Sequence, residues 1–387
     1  MIYLDNSATT KICEEALERY IEVSRECFGN PSSLHSAGYD AEKLLSEARR
    51  DILGALGAKG SSLIFTASGS EANNLAILGR AYSKERFKKN GKIITGDGEH
   101  ASVSSPVAQL EKAGFRTAKI STRGGTLDLE QLKRELDDSV ILVSLMMVNN
   151  ETGALYDVAA AAQFVKQYAK NAVLHIDATQ SFMKLPFSMS KIGADMITVS
   201  SHKVEGPKGV GALAVADSLI RSGGISPIVF GGGQEGGLRS GTENVPAICA
   251  FAKAVSIAEK ELISRKNSNE SLRNRLIDTI KNDNALSAIS ITEPPVHAPH
   301  ILNLTLPSIK SETALHFLSA KGIFVSSGSA CSSNSAKVSS ALVAYGRTEK
   351  EADCSIRVSF SHRNTADDVD ALAAALREAL SRLARIR

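Results

Sequence analysis

The sequence predicts an α/β protein: a mostly parallel central sheet with helices on both faces, followed by a smaller α+β domain. Two observations carry this prediction. Between about residues 61 and 216, short apolar runs alternate with longer segments in which apolar residues recur at helical spacing. Further along, one long helical stretch is followed by shorter strands and a final helix. The first pattern is typical of a parallel sheet covered on both faces, and the second of a separate, smaller unit.

Each apolar run of the first part has the length of one buried strand. The predicted strands are residues 62–66, 92–95, 141–147, 173–177, 196–200 and 211–216. Helices are predicted between them at residues 71–88, 128–136 and 157–170. Parallel strands need such crossover connections, so the alternation itself predicts the sheet.

The second part begins with a helical stretch from about residue 246 to residue 282, which becomes increasingly charged and contains no strong breaker. We interpret it as the bridge to a second domain. Strands are predicted after it at residues 301–306, 323–326 and 355–360, and a last helix begins near Asp367. The Ser-rich segment 326–340 is predicted to be a mobile surface loop.

Composition argues against several classes of partner. The chain has 387 residues, enough for two to three domains, and a formal net charge of only +3. Neither a nucleic acid nor a membrane is therefore expected as a partner, and apolar stretches such as residues 140–148 are too short to cross a bilayer. Residues 1–6 lack the layout of a signal or transit peptide, so a cytoplasmic location is expected.

The cysteines are scattered and include no CxxC spacing; they are Cys13, Cys27, Cys249, Cys331 and Cys354. This pattern predicts neither a metal site nor a disulfide framework. On spacing alone, all of them are buried or free thiols in a reducing compartment.

The first candidate site lies where residues 62–66 end and a helix begins. Ligands of parallel sheets bind beyond the carboxyl ends of the strands. Ser68 and Glu71 have the spacing of a capping box, and Gly69 permits close approach of the backbone. The N–H groups at this helix start, together with the Ser70 hydroxyl, can hold a phosphate; an ordinary helix cap is the alternative.

Polar residues follow four further predicted strands. His100 and Asn150 each come after one of them, and each alone is equally consistent with a structural or turn role. Asp177 ends another, where a carboxylate needs a cation or a donor, and a protonated pyridine nitrogen is one such partner. Lys203 follows the next, where desolvation favours the neutral amine that a Schiff base requires.

The order of these features is more specific than any one of them. A phosphate-type helix start, an acid at one strand end and a lysine at the next match the phosphate, pyridine nitrogen and aldehyde of pyridoxal 5'-phosphate. Glycine-rich residues 231–234 lead to further anion-binding side chains at residues 239–244, although a flexible loop explains them equally well. The sequence therefore predicts pyridoxal 5'-phosphate as cofactor and no metal.

With these residues in place, the chain resembles the cysteine desulfurases, in the class V aminotransferase group of fold-type I pyridoxal-phosphate enzymes. The likeness runs nearly end to end. The matching segments are residues 3–10, 29–35, 68–74, 99–100, 148–153, 175–180, 200–203, 239–244, 326–331 and 357–359. The resemblance implies a fold-type I large domain at residues 15–255 and a small domain formed by residues 1–14 and 256–387.

The resemblance also implies roles for individual residues. Lys203 would hold the cofactor, Cys331 would receive the sulfur as a persulfide, and His100 would stack on the ring and shuttle protons. The implied cofactor-binding residues are Gly69, Ser70, His100, Asn150, Asp177, Gln180, Ser200, His202, Lys203 and, from a partner subunit, Thr242. The implied substrate-binding residues are Asn30, Asn150 and Arg357.

The implied reaction converts L-cysteine to L-alanine and passes the sulfur on for iron–sulfur clusters, thio-cofactors or tRNA thiolation. The implied partners are L-cysteine, a sulfur-acceptor protein such as an iron–sulfur scaffold, and a second copy of the chain in a homodimer. A selenocysteine lyase and a class V transaminase on the same scaffold are alternatives that would not need the thiol of Cys331. A non-catalytic partner protein is a further alternative, against which the full set of reactive residues argues.

Overall fold

A large sheet and two smaller ones organise the chain. The computed structural model describes residues 1–84, 87, 91–327 and 338–383. The strands are β1 (Ile2–Tyr3), β2 (Ser61–Thr66), β3 (Lys92–Gly96), β4 (Arg116–Ile120), β5 (Val140–Met146), β6 (Val173–Asp177), β7 (Met196–Ser200), β8 (Gly211–Ala216), β9 (Ser290–Thr292), β10 (Ile301–Thr305), β11 (Ile323–Phe324), β12 (Ser326–Ser327) and β13 (Ser355–Ser359). The α-helices are α1 (Glu14–Glu26), α2 (Ser36–Ala55), α3 (Gly69–Tyr82), α4 (Ala101–Lys112), α5 (Leu129–Glu135), α6 (Val158–Tyr168), α7 (Met189–Ile192), α8 (Asp217–Arg221), α9 (Val245–Lys260), α10 (Leu262–Asn282), α11 (Ser311–Ala320), α12 (Ser340–Tyr345), α13 (Glu349–Asp353) and α14 (Ala366–Leu383).

The large sheet has seven strands in the order β2-β8-β7-β6-β5-β3-β4. Neighbours from β7 through β4 pair in parallel, whereas β8 is antiparallel to both β2 and β7. The mostly parallel sheet predicted from the sequence is therefore confirmed. The edge strand β4 was missed, because only its last residue is buried and it has no continuous apolar run.

Helices cover both faces of the large sheet, as predicted. On one face, α2, α5, α6 and α9 pack against alternate strand residues such as Val143 and Ile176. On the other face, α3, α4 and α8 pack against strand residues such as Leu142 and Leu213. Since successive strand residues point to opposite faces, the continuous apolar runs supply both cores at once.

The helical stretch predicted at residues 246–282 is confirmed, but the structure divides it into two helices that meet at Glu261. The break separates two packing environments. α9 contributes Ile248 and Phe251 to the core under the large sheet, whereas α10 contributes Leu272 and Leu276 to the core of the smaller part. A straight helix cannot direct one apolar stripe at two separate cores, and the chain bends where the cores change.

The smaller part is built on a four-stranded antiparallel sheet in the order β12-β13-β10-β9, covered by α10, α11 and α14. The strand predicted at residues 323–326 is split: β11 pairs in parallel with β1, and β12 pairs with β13. Leu4 belongs to the same core, so the N-terminal segment packs with the C-terminal part of the chain. Most of the predicted loop 326–340 lies outside the described residues.

Candidate active site

An acid and an amine both lie at the carboxyl edge of the large sheet. Asp177 is the last residue of β6, and Lys203 lies in the 3-10 turn that follows β7. The two strands are parallel neighbours, with Asp177 opposite Thr198. Both side chains therefore start from the same edge of the sheet, where ligands of such folds bind.

Asp177 is buried and accepts two hydrogen bonds. Oδ2 accepts from Asn73 Nδ2 at 2.8 Å, and Oδ1 accepts from the Thr179 N–H at 2.9 Å. Asn73 also donates to Ser102 Oγ at 2.8 Å, and Ser102 Oγ lies 2.8 Å from His100 Nδ1. A continuous hydrogen-bonded path thus joins the acid of β6 to His100 at the start of α4.

The N-terminal segment holds the side chain of Lys203. Its Nζ donates to the carbonyl oxygens of Ser7 at 2.5 Å and Ala8 at 2.8 Å. The segment is anchored in turn by Thr10, whose N–H and hydroxyl both donate to the carbonyl oxygen of His202. Residues 7–10 therefore form a wall of the site.

The start of α3 faces the turn after β7. Ser68 caps the helix, its Oγ accepting from the Glu71 N–H at 3.1 Å. A Cβ on Gly69 would lie 3.2 Å from the Cβ of Ser200, so glycine permits this close approach. The Ser200 hydroxyl is buried and has no hydrogen-bond partner within the described ranges, and Ser70 is exposed at the second position of α3. An unpaired buried hydroxyl beside a helix start fits an oxygen-rich anion such as a phosphate.

The predicted capping box is only half formed. The Glu71 carboxylate accepts from the Ala67 N–H at 2.9 Å and pairs with Arg239 Nε at 2.7 Å, so it does not return to the Ser68 N–H. The ion pair ties the glycine-rich stretch that contains Arg239 to the start of α3.

His202 and Gln180 line the same wall. His202 Nδ1 lies 3.1 Å from Thr9 Oγ1, and burial, reinforced by the nearby lysines, lowers the pKa of His202 to about 4. The imidazole is therefore uncharged at neutral pH, and its contact with an anion would be a hydrogen bond. Gln180 Nε2 donates to the Ser7 carbonyl at 2.9 Å.

Arg357 reaches the same edge from β13 of the smaller sheet. Nη1 donates to the carbonyl oxygen of Asn150 at 2.9 Å, and Nη2 pairs with Oδ1 of Asp5 at 2.9 Å. Nε is buried and has no hydrogen-bond partner in the described part of the chain. Since buried donors are nearly always paired, a ligand oxygen is the expected partner of this atom.

Two carboxyl groups flank Arg357. Burial raises the pKa of Asp5, although the Arg357 guanidinium acts in the opposite direction. Burial also raises the pKa of Glu151 to about 7. The Ser339 hydroxyl, which donates to Glu151 Oε2 at 2.5 Å, acts in the opposite direction, as do Arg357 and His100. The surroundings of Arg357 therefore contain a carboxyl group with a pKa near neutrality.

Three predicted residues are not joined to this cluster by the observed contacts. Asn30 is exposed, and its Oδ1 accepts locally from the Ser32 N–H at 2.9 Å. Thr242 is exposed as well, and within the described ranges it has no hydrogen bond to the residues above. Cys331 lies outside the described residues.

Sequence reasoning assigned no role to Asp5, Asn73, Ser102 or Glu151. The signal for Asn73 was an amide in a helix whose neighbouring positions are apolar and buried. Asp5 and Glu151 gave no comparable signal, because acids near turns are ordinarily solvated.

The described ranges contain no group of three or more His, Cys, Asp or Glu side chains arranged to hold a metal ion. Of the helices described above, none is long and apolar enough to cross a bilayer.

The chain is similar to known proteins over nearly its whole length. The aminotransferase class-V family model matches residues 2–372. A protein named cysteine desulfurase IscS 1, from Archaeoglobus fulgidus, is 36% identical over 390 residues, 99% of this chain and 98% of the relative. Among solved structures, a NifS-like protein has a TM-score of 0.90 at 34% identity, covering 98% of this chain and 99% of that chain. SspA in complex with cysteine has a TM-score of 0.81 at 30% identity, covering 93% and 99%. The chain belongs to the aminotransferase class-V family, in its cysteine desulfurase group.

Proposed function

We propose that the chain is a pyridoxal-phosphate-dependent cysteine desulfurase that converts L-cysteine to L-alanine and carries the sulfur as a persulfide on Cys331. One observation carries the proposal. The amine of Lys203 and the buried carboxyl of Asp177 follow neighbouring parallel strands, and Arg357 reaches the next strand end through the carbonyl of Asn150. A cationic ring, an aldehyde and a substrate carboxylate would each find a partner there.

The residues present fit the cofactor. Asp177 would pair with the pyridine nitrogen, and the start of α3 with Gly69, Ser70, Ser200 and His202 would hold the phosphate, joined by Thr242 from a second subunit. The unpaired Ser200 hydroxyl supports this assignment. When bound, the cofactor would supply an aldehyde for an amino group and an electron-withdrawing ring. His100 would stack on that ring, and Gln180 and Asn150 would hydrogen-bond the ring oxygen or the substrate.

Arg357 would bind the substrate carboxylate, with Asn30 assisting. The unpaired Nε is the donor that this contact requires. The solved relative described as SspA in complex with cysteine supports cysteine as the substrate class. Charge-assisted hydrogen bonds of this kind are worth about 1.5–3 kcal/mol each, so Arg357 would dominate recognition of the carboxylate.

Lys203 would remove the proton from the substrate Cα. An uncharged amine has two N–H bonds, and the carbonyls of Ser7 and Ala8 are placed to accept both. Its lone pair is then the part of the amine that takes the proton. A base held by backbone carbonyls keeps its orientation, which general base catalysis requires.

Sulfur transfer would complete the reaction. The Cys331 thiolate forms an S–S bond with the substrate sulfur, the Cβ–S bond of the substrate breaks, and its electrons stay on Cβ, which takes up a proton. Alanine leaves, and Cys331 retains an S–SH group. The balance needs no external oxidant or reductant.

The remaining assignments are part of the same proposal. The persulfide would pass to an acceptor for iron–sulfur cluster assembly, thio-cofactors or tRNA thiolation, and a homodimer would supply Thr242 across its interface. We propose a large domain at residues 15–255 and a small domain at residues 1–14 and 256–387, supported by the separate apolar cores. Free thiols persist under reducing conditions, which favours the cytoplasm.

The test is direct. The purified protein, supplied with pyridoxal 5'-phosphate, should absorb in the Schiff-base band, lose that band on borohydride reduction, and form alanine and protein-bound persulfide from L-cysteine. Mass spectrometry should place the added sulfur on Cys331, and Cys331→Ser should retain the absorption band but lose persulfide. Transfer of the amino group to a keto acid would instead indicate a transaminase, and turnover of selenocysteine without cysteine a selenocysteine lyase. A chain that binds no cofactor would contradict the whole proposal.

A further inference from the structure

Two residues without an assigned role lie between the acid that would pair with the cofactor and the histidine that would stack on it. Asn73, on α3, is almost fully buried, and Ser102 is the second residue of α4. Their contacts form the path from Asp177 to His100 described above. The inference from them rests on the proposed function, because it concerns how His100 is prepared for that reaction.

The backbone of α4 decides which nitrogen of His100 carries the proton. His100 is the N-cap of α4, and its Nδ1 accepts from the Ser102 N–H at 3.1 Å. The helix fixes the direction of this N–H, which cannot turn away. A second proton on Nδ1 would face it directly, so Nδ1 is unprotonated and the neutral ring carries its proton on Nε2.

The side-chain hydrogen bonds also direct a donor at His100 Nδ1. Asn73 Nδ2 donates to Asp177 Oδ2 and to Ser102 Oγ, both at 2.8 Å. The opposite amide orientation would place Asn73 Oδ1 against a carboxylate, which is unfavourable. Because the Ser102 oxygen accepts from Asn73, its own hydroxyl proton is available for His100 Nδ1, 2.8 Å away.

We propose that Asn73 and Ser102 are positioning residues that hold His100 as the neutral, Nε2-protonated tautomer and tie its ring to the Asp177 carboxylate. Proton uptake by His100 would require Nδ1 to displace both donors of Ser102. The histidine therefore acts from Nε2 as a hydrogen-bond donor over the pH range of turnover. Asn73 and Ser102 touch neither substrate nor cofactor in this assignment.

The test uses selectively ¹⁵N-histidine-labelled protein, with and without pyridoxal 5'-phosphate, and assigns His100 among the eight histidines by a His100→Asn variant. Two-bond ¹⁵N–¹H correlations distinguish protonated from unprotonated ring nitrogens. We expect wild-type His100 to have an unprotonated Nδ1 and a protonated Nε2. In Ser102→Ala, loss of one donor should move the midpoint of ring protonation up by about one pH unit.

Three further variants sharpen the result. Ser102→Thr retains the hydroxyl and should restore the wild-type titration, whereas Ser105→Ala, at an exposed position on the same helix, should leave it unchanged. Asn73→Ala should weaken the hydroxyl contact and shift the same midpoint by less. In the holoenzyme, the acidic limb of the kcat/KM profile should move in Ser102→Ala in the same direction as the ¹⁵N titration.

A proton on Nδ1 in the wild type, or a Ser102→Ala titration identical to the wild type, would overturn the proposal. Both measurements can be made on cofactor-free protein. Failure to bind pyridoxal 5'-phosphate would contradict the proposed function while the tautomer is still determined, so the two failures are distinguishable.

Discussion

On the proposed cofactor side of the site, Asp177, Asn73, Ser102 and His100 are joined by hydrogen bonds of 2.8 Å, in which Asn73 donates to both Asp177 and Ser102. On the carboxylate side, Arg357 is shared between the Asp5 carboxylate and the Asn150 carbonyl, and its Nε has no partner within the described residues. Glu151 next to it titrates near pH 7. The groups of the first cluster are hydrogen-bonded to one another. The second cluster leaves the Arg357 Nε donor without a described partner and the Glu151 proton free to be gained or lost near neutral pH.

The difference is consistent with what each side would bind. A cofactor stays through many turnovers, so its surroundings gain from donors that are already directed and need no rearrangement. A substrate enters and leaves, so the groups that meet it must exchange partners each time. The four predictions below test this contrast, from the largest expected effect to the smallest.

Removal of the amine from the cofactor side should have the largest effect. Lys203→Ala should lose the borohydride-sensitive band and reduce kcat by about 10²–10⁴-fold, the range for loss of a positioned general base, or more. Lys208→Ala removes an exposed lysine five residues away and should change neither quantity. A Lys203→Ala protein with covalently bound cofactor and normal turnover would refute the assignment of the amine.

On the carboxylate side, Arg357→Ala should raise KM for L-cysteine by about a hundredfold, the loss expected for charge-assisted hydrogen bonds. The cofactor band should be retained, because the band depends on Lys203 and Asp177, whose hydrogen bonds to Ser7 and Asn73 do not involve the lost guanidinium. Arg382→Ala, at an exposed position of α14, is the matched control. An unchanged KM would remove Arg357 from substrate binding.

The pH dependence of stability should be governed in part by Glu151. Since its folded pKa of about 7 is raised above the ordinary 4.5, the folded state binds the proton more tightly than the unfolded state. The resulting stabilisation is present below pH 4.5 and is lost as the pH rises to about 7. Urea unfolding at pH 5 and pH 7.5 should show a decrease of roughly 2 kcal/mol that Glu151→Gln removes. Glu259→Gln, at an exposed position of α9, should retain the decrease. An equal decrease in stability in both variants would exclude Glu151 as its source.

The smallest effect is expected at Ser339. Its Oγ caps α12 by accepting from the Leu342 N–H at 3.1 Å, and it also donates to Glu151. Ser339→Ala should cost about 1 kcal/mol of stability and raise the pKa of Glu151 further. Thr348→Ala removes a cap of the same kind at α13 without touching Glu151. If both variants have the same activity–pH profile, the hydrogen bond between Ser339 and Glu151 does not contribute to activity.

Much of the fold and part of the site were predictable from the sequence. The strands β5, β6 and β7 are buried throughout and mostly apolar. Asp177 at the end of β6 and Lys203 after β7 were therefore found from their order. The bend at Glu261 could not be predicted, because helical periodicity continues on both sides of it. The contacts of Asp5 and Ser7 with Arg357 and Lys203 join positions more than 190 residues apart, and no local pattern encodes such a separation.

The sequence by itself determined the kinds of group available: an amine, an acid and a guanidinium at strand ends, since strand periodicity and local chemistry are properties of neighbouring residues. Only the tertiary structure decided how those groups are paired. Whether Arg357 has an unpaired Nε, whether Glu151 titrates near pH 7 and which nitrogen of His100 is protonated all depend on burial and on donors brought in from other elements, and burial exists only once the chain has folded.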